Sequence, residues 1–539
     1  MSNSLRFAET LDLTRATVAD LQTAFRSRKL SSEKLTALYL ARIKAYDKQG
    51  PSINSVIMLN PNALHEARAL DRERRAGHVR SPLHGIPILV KDNFNTTDMP
   101  TTAGSQLLAG SVPPNEAFVL RKLRASGAII IAKVNMSEFA GSGGTTVGAT
   151  DPEIIKKGHW ASGFSSLGLQ TLNPHALDRS PSGSSGGTGA SVAAAFGQLG
   201  LGTDTGGSVR YPSSANGIVG LKPTYGLVSR AGIVPLARSL DTAGPMARSV
   251  YDLAVALGIM AGVDPEDPAT QMSAGKAETD YTKYLKRGAL KGARIGIGRD
   301  FMGCNPAVDK ITEQAIATLR SLGAEIVDPI RLPDYLLQAR SGIYELLVNA
   351  EFKAQITDYL QTLKPGFPRN FDEIVALANN PATRYRNPGK AFALKYSQQR
   401  AVGVSTPTYL AARYQALPAI KAGMEAVFAE QKVDAIFTPT MSRLEPLITE
   451  GPQPADQEAS GLASCRADSP GDLINESWLP EIVVPAGMTN EGMPVTISFI
   501  GTAFSEASLI GYAYDFEQAT RAVRLPKNTP PLSSDVISY

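Results

Sequence analysis

Residues 180–246, SPSGSSGGTGASVAAAFGQLGLGTDTGGSVRYPSSANGIVGLKPTYGLVSRAGIVPLARSLDTAGPM, decide how this chain is read. Two serines stand among glycines, Ser184 in GSSGG and Ser208 in DTGGSVR. Between them TGASVAAAFGQ is small and apolar enough for a tightly buried helix, and LGLGTD has the length of a buried strand. Glycines beside a serine let the backbone approach a bound group closely and aim its N–H groups at one point. An oxyanion site needs that geometry, and each well-placed donor there contributes roughly 3–4 kcal/mol in a transition state. A flexible linker is also rich in glycine and serine. It does not run straight into a helix-forming alanine segment and a second glycine cluster.

Outward from this stretch, the chain has 539 residues, 43% hydrophobic and 19% charged, the balance of a globular protein rather than a disordered or fibrous one. A net charge of +4 is too small to suggest a nucleic-acid partner. The densest basic run, ARALDRERRAGHVR (67–80), mixes Asp71 and Glu73 among its arginines and reads as a solvated helix face. No stretch of eighteen apolar residues occurs, and MSNSLRFAETLDL lacks an apolar leader core, so no membrane association and a cytoplasmic location are expected. Cys304 and Cys465 lie far apart with no metal-ligand spacing and are expected to be reduced thiols.

Helical patterns over 16–28, 32–47, 61–77 and 117–125 alternate with short β-branched strands, SVIMLN, Ile86–Val90 and AIIIAK (128–133). Ser31-Ser32-Glu33-Lys34 fits an S-x-x-K pattern, but with no companion motif it reads as a helix cap. After the central stretch come a helix at 248–262, strands at 294–299 and 325–328 around a helix at 307–322, and a helix-rich region over 335–431. Strands at 432–440, 481–487 and 494–501 and a helix at 505–522 complete the chain. The pattern predicts an α/β fold: one large domain with a central mixed β-sheet covered by helices on both faces, plus a helix-rich insert. Residues 142–170, rich in glycine and serine without periodicity, read as a loop near the mouth of a site.

A nucleophilic serine needs a base. The five histidines, His65, His78, His84, His159 and His175, all precede Ser184. GSSGG fits a G-x-S-x-G elbow with Ser185 at its centre, but that arrangement requires a histidine after the serine, so an α/β-hydrolase is excluded. A histidine-first order stays open, without a supporting motif. Lysine is the other candidate: desolvation destabilises a buried ammonium and brings the neutral amine within reach near neutral pH. Lys91 follows the apolar run Ile86–Val90 and precedes Asp92-Asn93. Alone, it would read as a lysine reaching out of a strand end.

Together, GIPILVKDN and the 180–246 stretch resemble the defining motifs of the amidase signature family of serine hydrolases. The resemblance implies one amidase signature domain over 1–539, with its core at 80–265 and a specificity insert at 335–431. It implies a Ser–Ser–Lys triad in which Ser208 is the nucleophile, Ser184 the bridging serine behind a cis peptide bond from Gly183, and Lys91 the base. Backbone N–H groups of Thr205, Gly206, Gly207 and Ser208 would hold the oxyanion, and Ala140 aligns with a substrate-contacting position. Asp204 and Arg210 read as an ion pair or hydrogen bonds bracing the glycine loop. Ser182 stands where the family usually has glycine.

The implied activity is hydrolysis of amide C–N bonds through an acyl-enzyme, with no metal or organic cofactor, by a monomer or homodimer. LLVNAEFKAQITDYL (346–360) looks most like the peptide amidase subgroup, which makes a peptide amide or another small-molecule amide the expected substrate. Alternatives are a subunit resembling a glutamine-hydrolysing tRNA-dependent amidotransferase, an esterase or carbamate hydrolase on the same machinery, and a binding protein that kept the fold without the chemistry.

Overall fold

The computed structural model describes residues 10–141, 162–448 and 466–538. Eleven strands form one mixed sheet. In chain order they are β1 (Val56–Leu59), β2 (Pro87–Lys91), β3 (Ile129–Val134), β4 (Leu199–Asp204), β5 (Val219–Lys222), β6 (Thr242–Ala247), β7 (Arg294–Gly298), β8 (Glu325–Ile330), β9 (Ala435–Pro439), β10 (Glu481–Met488) and β11 (Pro494–Ile500). Their order across the sheet is β8-β7-β9-β11-β10-β5-β6-β4-β2-β3-β1. Strands β2, β3 and β4 are parallel neighbours, whereas β6 runs antiparallel to both β4 and β5.

Helices flank this sheet, as the α/β reading expects. α1 (Gly186–Ala193) packs on β4, α2 (Arg210–Ala215) on β10, α3 (Val250–Met260) on β6 and α4 (Pro306–Ser321) on β10. The insert supplies α5 (Asp334–Gln361), α6 (Phe371–Ala378) and α7 (Pro388–Arg400), packed on one another around Phe352, Phe371 and Leu394, and α8 (Glu506–Thr520) returns to β10. Every residue of β2, β3 and β4 is buried, which is why these strands read as continuous apolar runs rather than alternating ones.

The sequence reading missed two strands of the central stretch. Strand β6, TAGPMA, carries glycine and proline, residues that weaken a strand signal, yet it pairs along the whole of β4, with Pro245 opposite Leu201. Strand β5 is only four residues long. The helix expected over TGASVAAAFGQ begins earlier and ends earlier, and Ala195 just beyond it takes a left-handed φ of 54°. Ser31 caps its helix as read, its Oγ accepting the Lys34 N–H at 3.1 Å.

Residues 142–161 of the expected site-mouth loop lie outside the described residues, and 164–170 form a small two-stranded turn. Cys304 corrects the expectation of a free thiol: it is disulfide-bonded. Cys465 lies outside the described residues. The Arg466 N–H donates to the Asp300 carbonyl at 3.0 Å, a long-range approach that spacing along the chain does not reveal.

Candidate active site

Parallel pairing of β2 with β4, Val90 opposite Leu201, brings the ends of the two strands to one edge of the sheet. Lys91 and Thr203 meet there. The Lys91 side chain is fully buried, and its Nζ contacts Ser184 Oγ at 2.8 Å, Thr203 Oγ1 at 2.8 Å and the Thr203 carbonyl at 3.4 Å. Burial pushes the amine down to about 7, against the opposing pull of Asp204 and Asp241. A neutral amine has two N–H bonds and one lone pair. Thr203 offers acceptors for both of those hydrogens, so a neutral amine can present its lone pair to the Ser184 hydroxyl. Asn93 Nδ2 also donates to Thr203 Oγ1, at 2.9 Å.

Ser184 follows a cis peptide bond from Gly183, and its carbonyl accepts the Ser137 N–H at 3.0 Å. The neighbouring Ser185 N–H donates to the Ser208 carbonyl at 3.2 Å, which ties the two serine loops together. Ser208 is half-buried, and its hydroxyl makes no hydrogen bond among the described residues. The structure therefore brings Lys91 onto Ser184 and ties the Ser208 backbone to the residue after Ser184, while among the described residues the Ser208 hydroxyl has no hydrogen-bond partner.

The glycine loop before Ser208 is braced from both ends. Asp204 accepts the Gly207 N–H at 2.8 Å and the Val209 N–H at 2.9 Å, and Arg210 grips it through Nε and Nη2, both at 3.0 Å. Arg210 also reaches Glu481 and Asn475, each at 2.5 Å. Burial works against the Asp204 carboxylate, but the adjoining guanidinium outweighs it and holds the group well below the usual carboxylate range. At the other end Thr205 Oγ1 donates to Asp241 Oδ1 at 2.6 Å, and Asp241 accepts the N–H groups of Leu236 and Ala237.

This bracing corrects one expectation. The Gly207 N–H is committed to Asp204 and is not free for a ligand, whereas those of Thr205, Gly206 and Ser208 have no acceptor among the described residues. Gly207 is nonetheless required as glycine: its φ is 120°, and a Cβ there would lie 2.2 Å from the Tyr211 ring. A Cβ on Gly206 would meet the Tyr344 hydroxyl at 2.6 Å.

A cleft reaches Thr205 of this loop and is lined also by Thr203, Asp241, Ala140, Ile233, Val234 and Leu236. Ala140, from the sequence reading, is thus a wall residue, in the left-handed region with φ 57°. Thr203, Asp241 and Tyr344 escaped that reading. Strand register was the available signal for Thr203; for Tyr344, one of many residues on α5, there was none. None of the described histidines hydrogen-bonds to Lys91, Ser184 or Ser208. His84 and His175 are buried against the carbonyls of Leu70 and Asn216, His65 and His78 are exposed, and His159 lies outside the described residues.

Residues 34–510 match the family model for amidases, and the chain belongs to the amidase family. Its class is thus that of enzymes hydrolysing carboxylic amide C–N bonds. Among solved structures it is similar to the native peptide amidase from Stenotrophomonas maltophilia, at 38% identity and a TM-score of 0.83, covering 95% of this chain and 98% of that one. It is 33% identical to a probable amidase of Arabidopsis thaliana over 98% of this chain and 94% of the relative. It is 37% identical to a glutamyl-tRNA(Gln) amidotransferase subunit of Chloroflexus aurantiacus, over 93% of this chain and 96% of the relative. Among the described residues no helix is long and apolar enough to cross a membrane.

Proposed function

We propose that the amide is cleaved by a relay through Lys91, Ser184 and Ser208. Neutral Lys91 takes the Ser184 Oγ proton, Ser184 takes that of Ser208, and the Ser208 oxygen attacks the amide carbonyl carbon. The C–N bond then breaks, the relay returns a proton to the departing nitrogen, and water hydrolyses the ester on Ser208. The N–H groups of Thr205, Gly206 and Ser208 stabilise the negative oxygen, and Gly207 contributes through its backbone conformation. The observation that carries this reading is the 2.8 Å contact between a fully buried Lys91 amine and Ser184 Oγ.

The substrate class we assign is peptide amides, with release of ammonia. The likeness to a peptide amidase over nearly the whole chain supports it, as does the insert over 335–431, whose Tyr344 lies against Gly206. In this reading residues 1–539 form one amidase signature domain with its core at 80–265, acting in the cytoplasm as a monomer or homodimer without a nucleic-acid partner. The test is turnover of a panel of peptide amides, simple amides, esters and carbamates by purified wild type and Ser208→Ala. Activity confined to the wild type and highest on peptide amides is expected; substantial turnover by Ser208→Ala overturns the mechanism.

The amidotransferase relatives favour a second reading, a glutamine-hydrolysing component of a larger assembly. The same panel separates the two, because such a component requires a partner and ATP to work productively, whereas a stand-alone amidase releases ammonia by itself.

A further inference from the structure

A turn that the relay does not use borders the cleft. Phe139 and Ala140, with φ of 50° and 57°, are two consecutive residues with side chains in the left-handed region. Such a backbone persists only where its surroundings over-determine it. Ala140 lines the cleft that reaches Thr203 and Thr205, together with Ile233, Val234 and Leu236. Whatever holds the turn therefore also holds this part of the wall.

Glu138, directly before the turn, is fully buried. One of its carboxylate oxygens accepts the Ser166 N–H at 2.9 Å and Asn387 Nδ2 at 3.1 Å; the other accepts the Ser166 hydroxyl at 2.8 Å and the Tyr385 hydroxyl. A carboxylate can be buried at tolerable cost when its oxygens are filled in this way. Ser166 fills one half and the insert the other. Asn387 heads α7, its Oδ1 accepting the Lys390 N–H at 3.0 Å, so its amide joins that helix to Glu138. Gln106 holds the chain on either side of Tyr385: its Nε2 donates to the Thr383 carbonyl at 3.2 Å and its Oε1 accepts the Arg386 N–H at 3.0 Å. In the turn itself the Phe139 N–H donates to the Ala103 carbonyl at 2.9 Å, and the Phe139 ring lies against Phe352 of α5, with ring centroids 5.9 Å apart.

We propose that Glu138 is a positioning residue that sets substrate specificity: by fastening the insert to the Phe139–Ala140 turn, it fixes the wall against which the acyl side chain of the substrate packs. Neither Glu138 nor Tyr385 is among the residues lining the cleft, so both act through Ala140. Ala140, Ile233, Val234 and Leu236 are apolar, and an apolar side chain next to the scissile carbonyl gains by packing on them. A wall held in one place discriminates by tens of fold on a difference of a few methylenes, and a wall free to shift discriminates less. The proposal rests on the peptide-amide reading above.

The experiment is kcat/KM on N-acetyl-leucine amide and on N-acetyl-glycine amide for the wild type, Glu138→Ala, Glu138→Gln, Tyr385→Phe and the double variant Glu138→Ala/Tyr385→Phe, with circular dichroism to verify folding. The quantity read is the leucine-to-glycine ratio. It is independent of the fraction of active enzyme, so a residue that merely supports the fold leaves it unmoved. The wild type should prefer the leucine amide by about tenfold or more. Glu138→Ala should lower that ratio by about tenfold and Tyr385→Phe by about threefold or more, and the double variant should fall no further than Glu138→Ala alone. Glu138→Gln should stay within about threefold of the wild-type ratio, because its oxygen still accepts the Ser166 N–H and Asn387 Nδ2 while its NH2 group donates to the two hydroxyls. An unmoved ratio in folded Glu138→Ala overturns the proposal, as does a Glu138→Gln ratio as low as that of Glu138→Ala. If Glu138→Ala does not fold, Tyr385→Phe decides alone, and an unmoved ratio there overturns the proposal. Failure of the wild type to cleave either amide would overturn the peptide-amide reading and this proposal with it, whereas cleavage with an unmoved ratio overturns the proposal only.

Discussion

The Thr203 hydroxyl and carbonyl both accept from the Lys91 amine, at 2.8 and 3.4 Å, so one residue of β4 sets the orientation of the lysine at the end of β2. In the proposed relay the base must be aimed as well as deprotonated. Thr203→Val keeps shape and carbonyl but removes one of the two acceptors, and kcat should fall by about 10- to 100-fold with little change in KM. Steady-state kinetics on the best substrate of the panel is the measurement. An unaltered kcat would mean that the amine is aimed by other means.

Lys91 should also make the fold's stability depend on pH. Its folded pKa is lowered to about 7 from an ordinary 10.5, so between those values the unfolded chain binds more protons than the folded one, and stability from this residue rises with pH. Lys91→Met removes the effect. The variant should be inactive yet more stable than the wild type at pH 7, by about a few kcal/mol, and the advantage should shrink towards pH 10. Urea unfolding at the two pH values measures it. A variant less stable at pH 7 would contradict the burial argument.

Gly206 and Tyr344 form a testable steric pair. In Gly206→Ala the new Cβ would stand 2.6 Å from the Tyr344 hydroxyl, so the glycine loop or the tyrosine must shift, and activity should drop about 100-fold or more. Tyr344→Ala in the same chain should recover part of the loss. No recovery in the double variant would place the damage in the loop itself.

The proportion of this that was legible in the sequence follows from the range of each interaction. Strand β2 and the lysine at its end could be read because an apolar run and its terminus are local. The antiparallel return of β6 was missed, because Gly244 and Pro245 obscure a strand that exists through its pairing with β4. Ser184 and Ser208 came from motif resemblance, and the glycines around them gave a physical reason for it. That the Gly207 N–H would be taken by Asp204 needed coordinates, since a motif gives neighbours along the chain and not hydrogen-bond partners. Tyr344 and Glu481 come from segments more than 100 residues downstream, where nothing in the local pattern points back to residues 204–210.

Cys304 supplies a test of location. A disulfide persists in an oxidising compartment and is reduced in the cytoplasm of most cells. Alkylation of the freshly isolated protein under denaturing conditions, followed by mass analysis, should leave Cys304 unmodified until a reductant is added, as its disulfide requires, and that outcome counts against the cytoplasmic proposal. Modification of both cysteines without reductant would show that the disulfide does not persist in the cell and would support it.

Strand β10 has a bearing on biosynthesis. It lies between β5 and β11 in the middle of the sheet, and its Glu481 is the second carboxylate gripping Arg210. The brace under the Ser208 loop is thus completed by a residue added to the chain more than 200 positions after Ser208. A nascent polypeptide that already carries Lys91, Ser184 and Ser208 but not yet residue 481 lacks one of the two carboxylates that grip Arg210, so the support of that loop is completed during synthesis only once β10 has been added.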